Sequence, residues 1–345
     1  MSKDHVEPLY VGVDDGYRDT NIVLSDGRSI RINSQVKSGK QNTISIAGGE
    51  QSVYQYNTEE GSFIVGAISE SDSISSDVYP VSSANRVLVA HALKSVGVTP
   101  NDAVVLVSGL PLKRFYVNNK VNKRLVESKM ANLMKSDVTF DQSQASGSSK
   151  PLIVQPTIVR HRVVPEGVAA WMDYVMQRDK DTGAIYQDEQ RLTERVAVID
   201  IGGRTTDIAV VLRGDVNMSK SSTIEAGMLA IEEYVKNAIH EEYDFEPSLL
   251  QMNQLMATRK LTAWGEQYDV SSIIDDACKI EVERIRAEVV SRLGSASDVD
   301  RVLFVGGTTA MLGEYLEGLF RHQIVVDDPA FANARGMCKF AEFIS

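Results

Sequence analysis

One short segment occurs twice in this chain, and that repeat constrains the fold more than any other feature. An offset of 186 residues lays Asp14 on Asp200, Gly16 on Gly202, Arg18 on Arg204, Thr20 on Thr206 and Ile22 on Ile208. Both copies follow one plan: an apolar strand ends in an aspartate, a glycine turn reverses the chain, and a hydroxyl-bearing return leads into a second strand. A repeat at this spacing implies two like domains closing on one ligand. The 345-residue length accommodates them, because a single core seldom spans so much chain.

Glycine removes the Cβ and admits positive φ, so backbone N–H groups in such turns can approach phosphate oxygens closely. This makes Asp15, Gly16, Tyr17, Arg18, Asp19 and Thr20 candidate phosphate contacts in the first turn, and Gly202, Gly203, Arg204, Thr205 and Thr206 in the second. Asp14 and Asp200 end their strands and stand back from the phosphates. There they can hold the waters of a magnesium ion, which keeps much of its hydration. A lone Asp-Gly hairpin is commonplace in β-structure. The second copy, Asp200-Ile201-Gly202-Gly203-Arg204-Thr205-Thr206-Asp207, is more specific, since a simple hairpin needs neither paired glycines nor paired threonines between acids. A third turn, Gly306-Gly307 after Leu303-Phe304-Val305, would let a base or ribose lie against bare backbone, and serves equally as a helix entry. Arg204 suits a phosphate or an acid across a cleft, and Arg18 invites the same reading.

Around these turns the pattern alternates strands with helices. Leu9 to Val13, Thr20 to Leu24 and Arg28 to Ile32 read as a β-meander, with weaker strands near Thr43 to Ile46 and Phe63 to Val65. A helical pattern begins at Val87 and stops at Gly97, and a strand follows at Ala103 to Val107. Asn118 to Met134 is helix-like and carries Lys120, Lys123, Arg124, Lys129 and Lys135, a basic face that is either solvated or a contact surface for an acidic partner or a second copy. Gln142 to Lys150 and Arg178 to Thr193 read as polar excursions. Val164-Pro165-Glu166-Gly167 opens a helix running to about Met176, near which the domain boundary falls: 1–165, with a C-terminal helix at 330–345 packing back on it, and 166–329.

The second half opens with a strand at Val196 to Asp200, then Ile208 to Leu212 and Val216 to Thr223. Helices follow at about Met228 to Tyr243 and Ser248 to Thr258. A long helix from Ser271 to Leu293 presents Ile274, Cys278, Val282, Ile285, Val289 and Leu293 on one face, a core stripe. Val302 to Val305 is a strand, and Thr308 to Phe320 and Phe331 to Phe343 are helices.

The formal charge of -11 argues against direct binding of nucleic acid, so a link to DNA requires a basic adaptor. No apolar run approaches the ~20 residues of a membrane span and the first residues are polar, so a cytoplasmic, membrane-free protein is expected. Cys278 and Cys338 are isolated thiols with neither disulfide nor zinc spacing.

The phosphate-1, phosphate-2 and adenosine motifs occur in the order and spacing of the actin, Hsp70 and sugar-kinase superfamily, which this sequence resembles. Within it the sequence is similar to the ParM (StbA) plasmid-partition actins, through Val13-Asp14-Asp15-Gly16 with Thr20-Asn21-Ile22, Leu110-Pro111-Leu112 followed by Tyr116 and Asn118-Asn119, Lys129-Met130-Ala131-Asn132, and Val164-Pro165-Glu166. The resemblance implies an α/β, actin-like (ribonuclease H-like) pair of duplicated domains with a nucleotide cleft between them. It implies ATP, with GTP an open alternative, and Mg2+ as cofactors. Glu166 takes the family's place for the acid that orients the water attacking the γ-phosphate, with Asp200 the second catalytic acid. Helix-dipole stabilisation is the plainer role for Glu166. Glu225 before Gly227, and Lys236, fall where the family recognises ribose and adenine, although both are charged helix residues that also suit a surface. The first phosphate turn, Tyr17-Arg18-Asp19, is longer than in the best-known plasmid member.

What the resemblance adds is a job: an ATPase whose homopolymeric filament segregates plasmid DNA through a basic adaptor on a centromere-like site, with hydrolysis controlling filament stability. Two alternatives stand beside it. A small-molecule kinase of the same superfamily would need an acceptor-binding aspartate, for which no clear candidate exists. A non-polymerising nucleotide-binding scaffold is the other, and the lack of a substrate-binding domain after Ser345 argues only against a chaperone.

Overall fold

The computed structural model describes residues 7–40, 53–68, 70–72, 74, 76–141 and 152–345. The expected strand at Thr43 to Ile46 and loop at Gln142 to Lys150 lie outside the described residues.

Runs such as Val104-Val105-Leu106-Val107 and Val196-Ala197-Val198-Ile199 are apolar on both faces and buried on both. Such strands belong in the middle of a sheet covered by helices. They sit there in two five-strand paths of matching connectivity. The first runs Thr157–Pro165, Ala103–Leu110, Leu9–Asp15, Asp19–Leu24, Ser29–Asn33. The second runs Gln323–Val325, Arg301–Val305, Arg195–Ile201, Thr206–Leu212, Asp215–Val216, with Ser222–Ile224 also paired to Thr206–Leu212. In each, the strand ending at the repeated aspartate is central. An antiparallel meander lies on one side of it and two parallel strands on the other. A further five-strand sheet, built around Val53–Thr58 and Gly61–Gly66, is appended to the first half.

Helices Ser83–Ser95, Met228–Tyr243, Leu249–Thr258 and Ser271–Leu293 match the periodicity. Ser82 and Ser248 cap two of them by accepting backbone N–H groups. The C-terminal helix, Ala332–Phe343, packs on the first sheet so closely that a Cβ at Gly12 would stand 1.9 Å from the Ala334 carbonyl oxygen. A Cβ at Gly336 would meet the Ala169 carbonyl at 1.8 Å, so two glycines admit the helix between sheet and neighbouring helix.

Several expectations need correction. Asn118 and Asn119 both have positive φ and close a hairpin, so the helix starts only at Lys123, capped by Asn122. Lys129 is not on a basic face: its side chain is 2% exposed and paired with Asp15. Lys135 is neutralised by Glu59, Glu60 and Asp137. Arg178 to Thr193 is ordered as a hairpin, Met176–Arg178 with Ile185–Gln187, and a short helix, Glu189–Thr193. The Val216 to Thr223 strand breaks in two where Asn217 turns the chain by accepting from Ser219 and Lys220 N–H. The Thr308 to Phe320 helix ends at Leu316, and the hairpin Lys260–Ala263 with Glu266–Asp269 had no expected counterpart.

Candidate functional site

The matched sheets bring their central strands end to end across a cleft. Asp14 pairs in register with Asn21, and Asp200 with Asp207, so the repeat extends to the residues opposite each aspartate. The turns touch: a Cβ on Gly203 would lie 2.5 Å from the Cβ of Arg18, so only glycine lets the second hairpin approach the first. Gly306, at φ +97°, is held as tightly, its absent Cβ falling 2.4 Å from the Ile201 carbonyl oxygen and 2.5 Å from Asp200 Oδ1. Gly307 faces the Arg31 guanidinium, which binds Asp19 Oδ2 at 2.6 Å. Between these turns lies a cavity of about 50 Å³ lined by Asp14, Glu166, Asp200, Asp207 and Asn333 among others.

Asp19, bound by Arg18 and Arg31, also lines this space, and the other four carboxyl groups share it with no arginine among the described residues bound to them. Burial, then repulsion from Asp200 and Asp15, pushes Asp14 up to about 8, against the pull of Lys129 and Asn21. Burial raises Asp207 to about 7, reinforced by Asp200 and opposed by Thr223, Leu112 N–H and Lys113. Asp200 rises to about 6 through burial, restrained by hydrogen bonds from Asn333 and Gly167 N–H. Glu166 is raised well above the carboxylate range by burial and by Asp14 and Asp207. The buried Lys129 ammonium is already engaged with Asp15 Oδ1 at 2.8 Å and the Gly109 carbonyl. Of the two arginines on the wall, Arg18 is bound by Asp19 and Glu232 and Arg204 by Glu225, and the pocket's acids offer hard oxygens, which fit magnesium better than a thiophilic metal. Among the described residues no three acids, histidines or cysteines are grouped so as to hold a metal ion directly.

Two family models match the chain. Residues 9–173 match "plasmid segregation protein ParM, N-terminal", and residues 198–318 match "archaeal actin homologue MreB-like, C-terminal". The chain has the actin-like fold of the ParM proteins. A non-polymerisable quadruple mutant of pCBH ParM shares its fold, with 21% identity, TM-score 0.74, and 97% of this chain and 99% of that one covered. A 15-stranded ParM filament from Clostridium botulinum has 20% identity, TM-score 0.72 and coverage of 97% and 99%. An archaeal actin homologue in complex with ADP has 21% identity, TM-score 0.72 and coverage of 96% and 98%. No curated protein matches by sequence.

In this ParM-type fold most residues expected at the site do line the cavity. From the first turn these are Asp14, Gly16, Tyr17, Arg18 and Asp19; from the second, Asp200, Gly202, Gly203, Arg204 and Thr205. Glu166, Gly306 and Gly307 complete the wall. Glu166 is not in the helix: Gly167 turns at φ +73° and the helix begins at Val168. The turn leaves the carboxylate free of the helix end and places it over Gly109.

Others lie elsewhere. Asp15 follows Asp14 on a strand, so it points to the opposite face. There it is bound by Lys129 and by Asn85 Nδ2 at 2.5 Å. Thr20 and Thr206 are fully buried and brace their hairpins, Thr20 against Ser34 Oγ at 2.9 Å and Thr206 on the Ala226 carbonyl at 2.9 Å. Glu225 is exposed and pairs with Arg204 at 2.8 Å. Gly227 N–H donates to Glu281 Oε1 at 2.6 Å, fixing the helix start beneath the second turn. Lys236 lines an adjoining cavity of about 510 Å³, together with Arg18 and Glu232. Arg18 stands between the two spaces, its Nε bound to Glu232 Oε1 at 2.9 Å.

Asp207, at the end of the second turn, was legible as the repeat partner of Asn21, whereas two contributors escape a reading of the sequence. Glu232 and Asn333 arrive from distant helices and leave no local signal.

Proposed function

We propose that this chain binds Mg-ATP in the cleft, polymerises in that state, and hydrolyses ATP in a way that weakens the polymer, segregating plasmid DNA through a basic DNA-binding adaptor. The observation that carries the reading is the pairing of Asp14 and Asp200 at the ends of two like sheets, on either side of one cavity that also receives Glu166. The domains assigned on this reading are 1–165 with 330–345, and 166–329. The protein works in the cytoplasm; no helix among the described residues is long and apolar enough to cross a membrane.

Asp14 and Asp200 would hold the ion, which would supply charge neutralisation to the phosphates, and the N–H groups of the two turns grip those phosphates. Glu166 orients the attacking water and accepts its proton. Glu225 and Lys236 recognise the nucleoside, in the adjoining space that Lys236 lines. Arg18 stands between the phosphate and nucleoside spaces, so its contact with Glu232 across the cleft is the one that rearranges when a nucleotide spans both. Cleft closure is then the switch between polymerising and dissociating states. The chain's charge of -11 leaves DNA contact to the adaptor.

The test is sedimentation of the protein at tens of micromolar with ATP, a non-hydrolysable analogue, ADP or no nucleotide, with phosphate release followed in parallel. A pellet with ATP or the analogue supports the reading. Phosphate transfer to a small acceptor, or no pellet under any condition, overturns it.

A further inference from the structure

Two tight hairpins outside the cleft carry surfaces that nucleotide binding leaves unexplained. One joins strands Lys260–Ala263 and Glu266–Asp269 through Trp264 and Gly265, whose φ values are +55° and +84°. A turn with two positive φ angles favours Asn or Gly at its first position. A tryptophan occupies it here, 73% exposed. Its ring meets Phe245 edge-on at 6.0 Å, and Tyr243 and Tyr268 pair nearby at 5.0 Å. Asp244, Glu246 and Glu266 are exposed around these rings, Glu246 also standing 3.9 Å from the half-exposed Lys236, while Lys260 lies at the far end of the ladder, opposite Asp269. An aromatic displayed in a strained turn with an acidic border has the character of an interface anchor.

The other hairpin pairs Tyr116–Val117 with Lys120–Val121 through Asn118 and Asn119. Its composition is complementary. Val117 and Val121 are 48% and 43% exposed, and Lys120, Lys123 and Arg124 are exposed beside them. None of these three cations is ion-paired among the described residues, and Glu127 is the acid of the adjoining helix. The two hairpins rest on separate hydrophobic clusters, one around Leu261 and Ala263, the other around Leu110, Phe115 and Val163.

We propose that the two hairpins are the two halves of one interface between copies of this chain. Trp264 of one copy packs on Val117 and Val121 of another, and Glu246 and Glu266 face Lys120, Lys123 and Arg124. The inference rests on the filament reading and names the contact that makes the filament. A second copy is the occupant because both halves are present on one chain. Copies each carrying a charge of -11 also repel unless an acidic tip meets a basic patch. Two different surfaces meeting head to tail leave one of each unfilled at the ends, so association propagates instead of closing as a two-fold dimer.

The experiment compares nucleotide-dependent pelleting of the full chain with Trp264→Ala, with Lys123→Glu/Arg124→Glu, with Glu246→Lys/Glu266→Lys, and with the four charge changes combined. Nucleotide affinity of each unassembled protein is measured alongside to show that it is folded. Trp264→Ala and each charge pair should raise the concentration needed for assembly by about tenfold or more, and the combination should restore it. Acrylamide should quench Trp264 before assembly and much less afterwards, Trp171 being 4% exposed throughout. Assembly of Trp264→Ala at the unmodified concentration, or a combination no better than its parents, overturns the interface. Failure of the unmodified chain to pellet removes the filament reading itself, before any variant is considered.

Discussion

Asn333, on the C-terminal helix, donates from Nδ2 to Asp200 Oδ2 at 2.6 Å, across 133 residues of sequence. Its Oδ1 accepts the Gly167 N–H at 3.1 Å, so one buried amide ties the end of the second sheet to the turn that carries Glu166. Asn333→Ala leaves a buried carboxylate and a buried N–H without this partner. The expected cost is about 2–4 kcal/mol of unfolding free energy, with weaker magnesium-dependent nucleotide binding. Urea denaturation and titration calorimetry check both, and unchanged values in both would remove Asn333 from the site.

The crowded carboxylates make a pH prediction. A carboxyl group whose folded pKa is raised stabilises the fold while it keeps its proton and loses that contribution as pH rises to the folded value. Asp14, pushed up to about 8, therefore destabilises the metal-free protein progressively as pH rises from the ordinary carboxylate range to about 8, and the loss levels off above that. Histidine adds little above pH 7, where unfolded imidazole is already mostly neutral. Between pH 7 and 8.5 stability should fall by on the order of 1 kcal/mol. Asp14→Asn should flatten the slope, read from denaturation midpoints in chelator; a slope unchanged by the substitution would contradict the assignment.

Glu166→Gln keeps the shape of the side chain and removes the base. Pelleting with ATP should persist while phosphate release slows by about 10²-fold or more. Release at the unmodified rate would end the catalytic role proposed for Glu166. An Asp200→Ala variant should instead lose magnesium-dependent binding outright, separating the two functions by calorimetry.

Lys129 and Asp15 form an ion pair whose side chains are 2% and 1% exposed. Removing one partner strands the other charge, so Lys129→Met should cost about 3–5 kcal/mol. The double variant Lys129→Met/Asp15→Asn, with no stranded charge, should recover a substantial part of that loss. A double variant no more stable than the single one would show that the lysine acts mainly through the Gly109 carbonyl.

The meanders, the long helices and the paired phosphate turns were legible because each is a local pattern. Apolar alternation reports a strand, three-to-four periodicity reports a helix face, and Asp-Gly at a strand end reports a turn. Asp15 and Lys129 show where local reading stops. Nothing in Asp14-Asp15 states which carboxylate faces the cleft, and a lysine on a charged helix gives no sign that it turns inward to balance the other. The Arg178 to Thr193 stretch stays at the surface as its polarity indicates, and its hairpin and helix go unread because short elements on a surface need few apolar residues.

By itself, then, the sequence determined that this chain folds as two α/β halves carrying the same strand, turn and strand device. That information is contained in neighbouring residues and in a repeat that can be read by alignment. Tertiary structure alone decided that Asp15 turns away onto Lys129, that Arg18 reaches Glu232 across the cleft, and that Asn333 from the last helix holds Asp200. Those outcomes depend on strand pleat, on the close approach that Gly12, Gly203 and Gly336 permit, and on contacts between residues more than a hundred positions apart. A linear pattern does not encode such contacts, because their energy exists only once both sheets and the helix between them are packed.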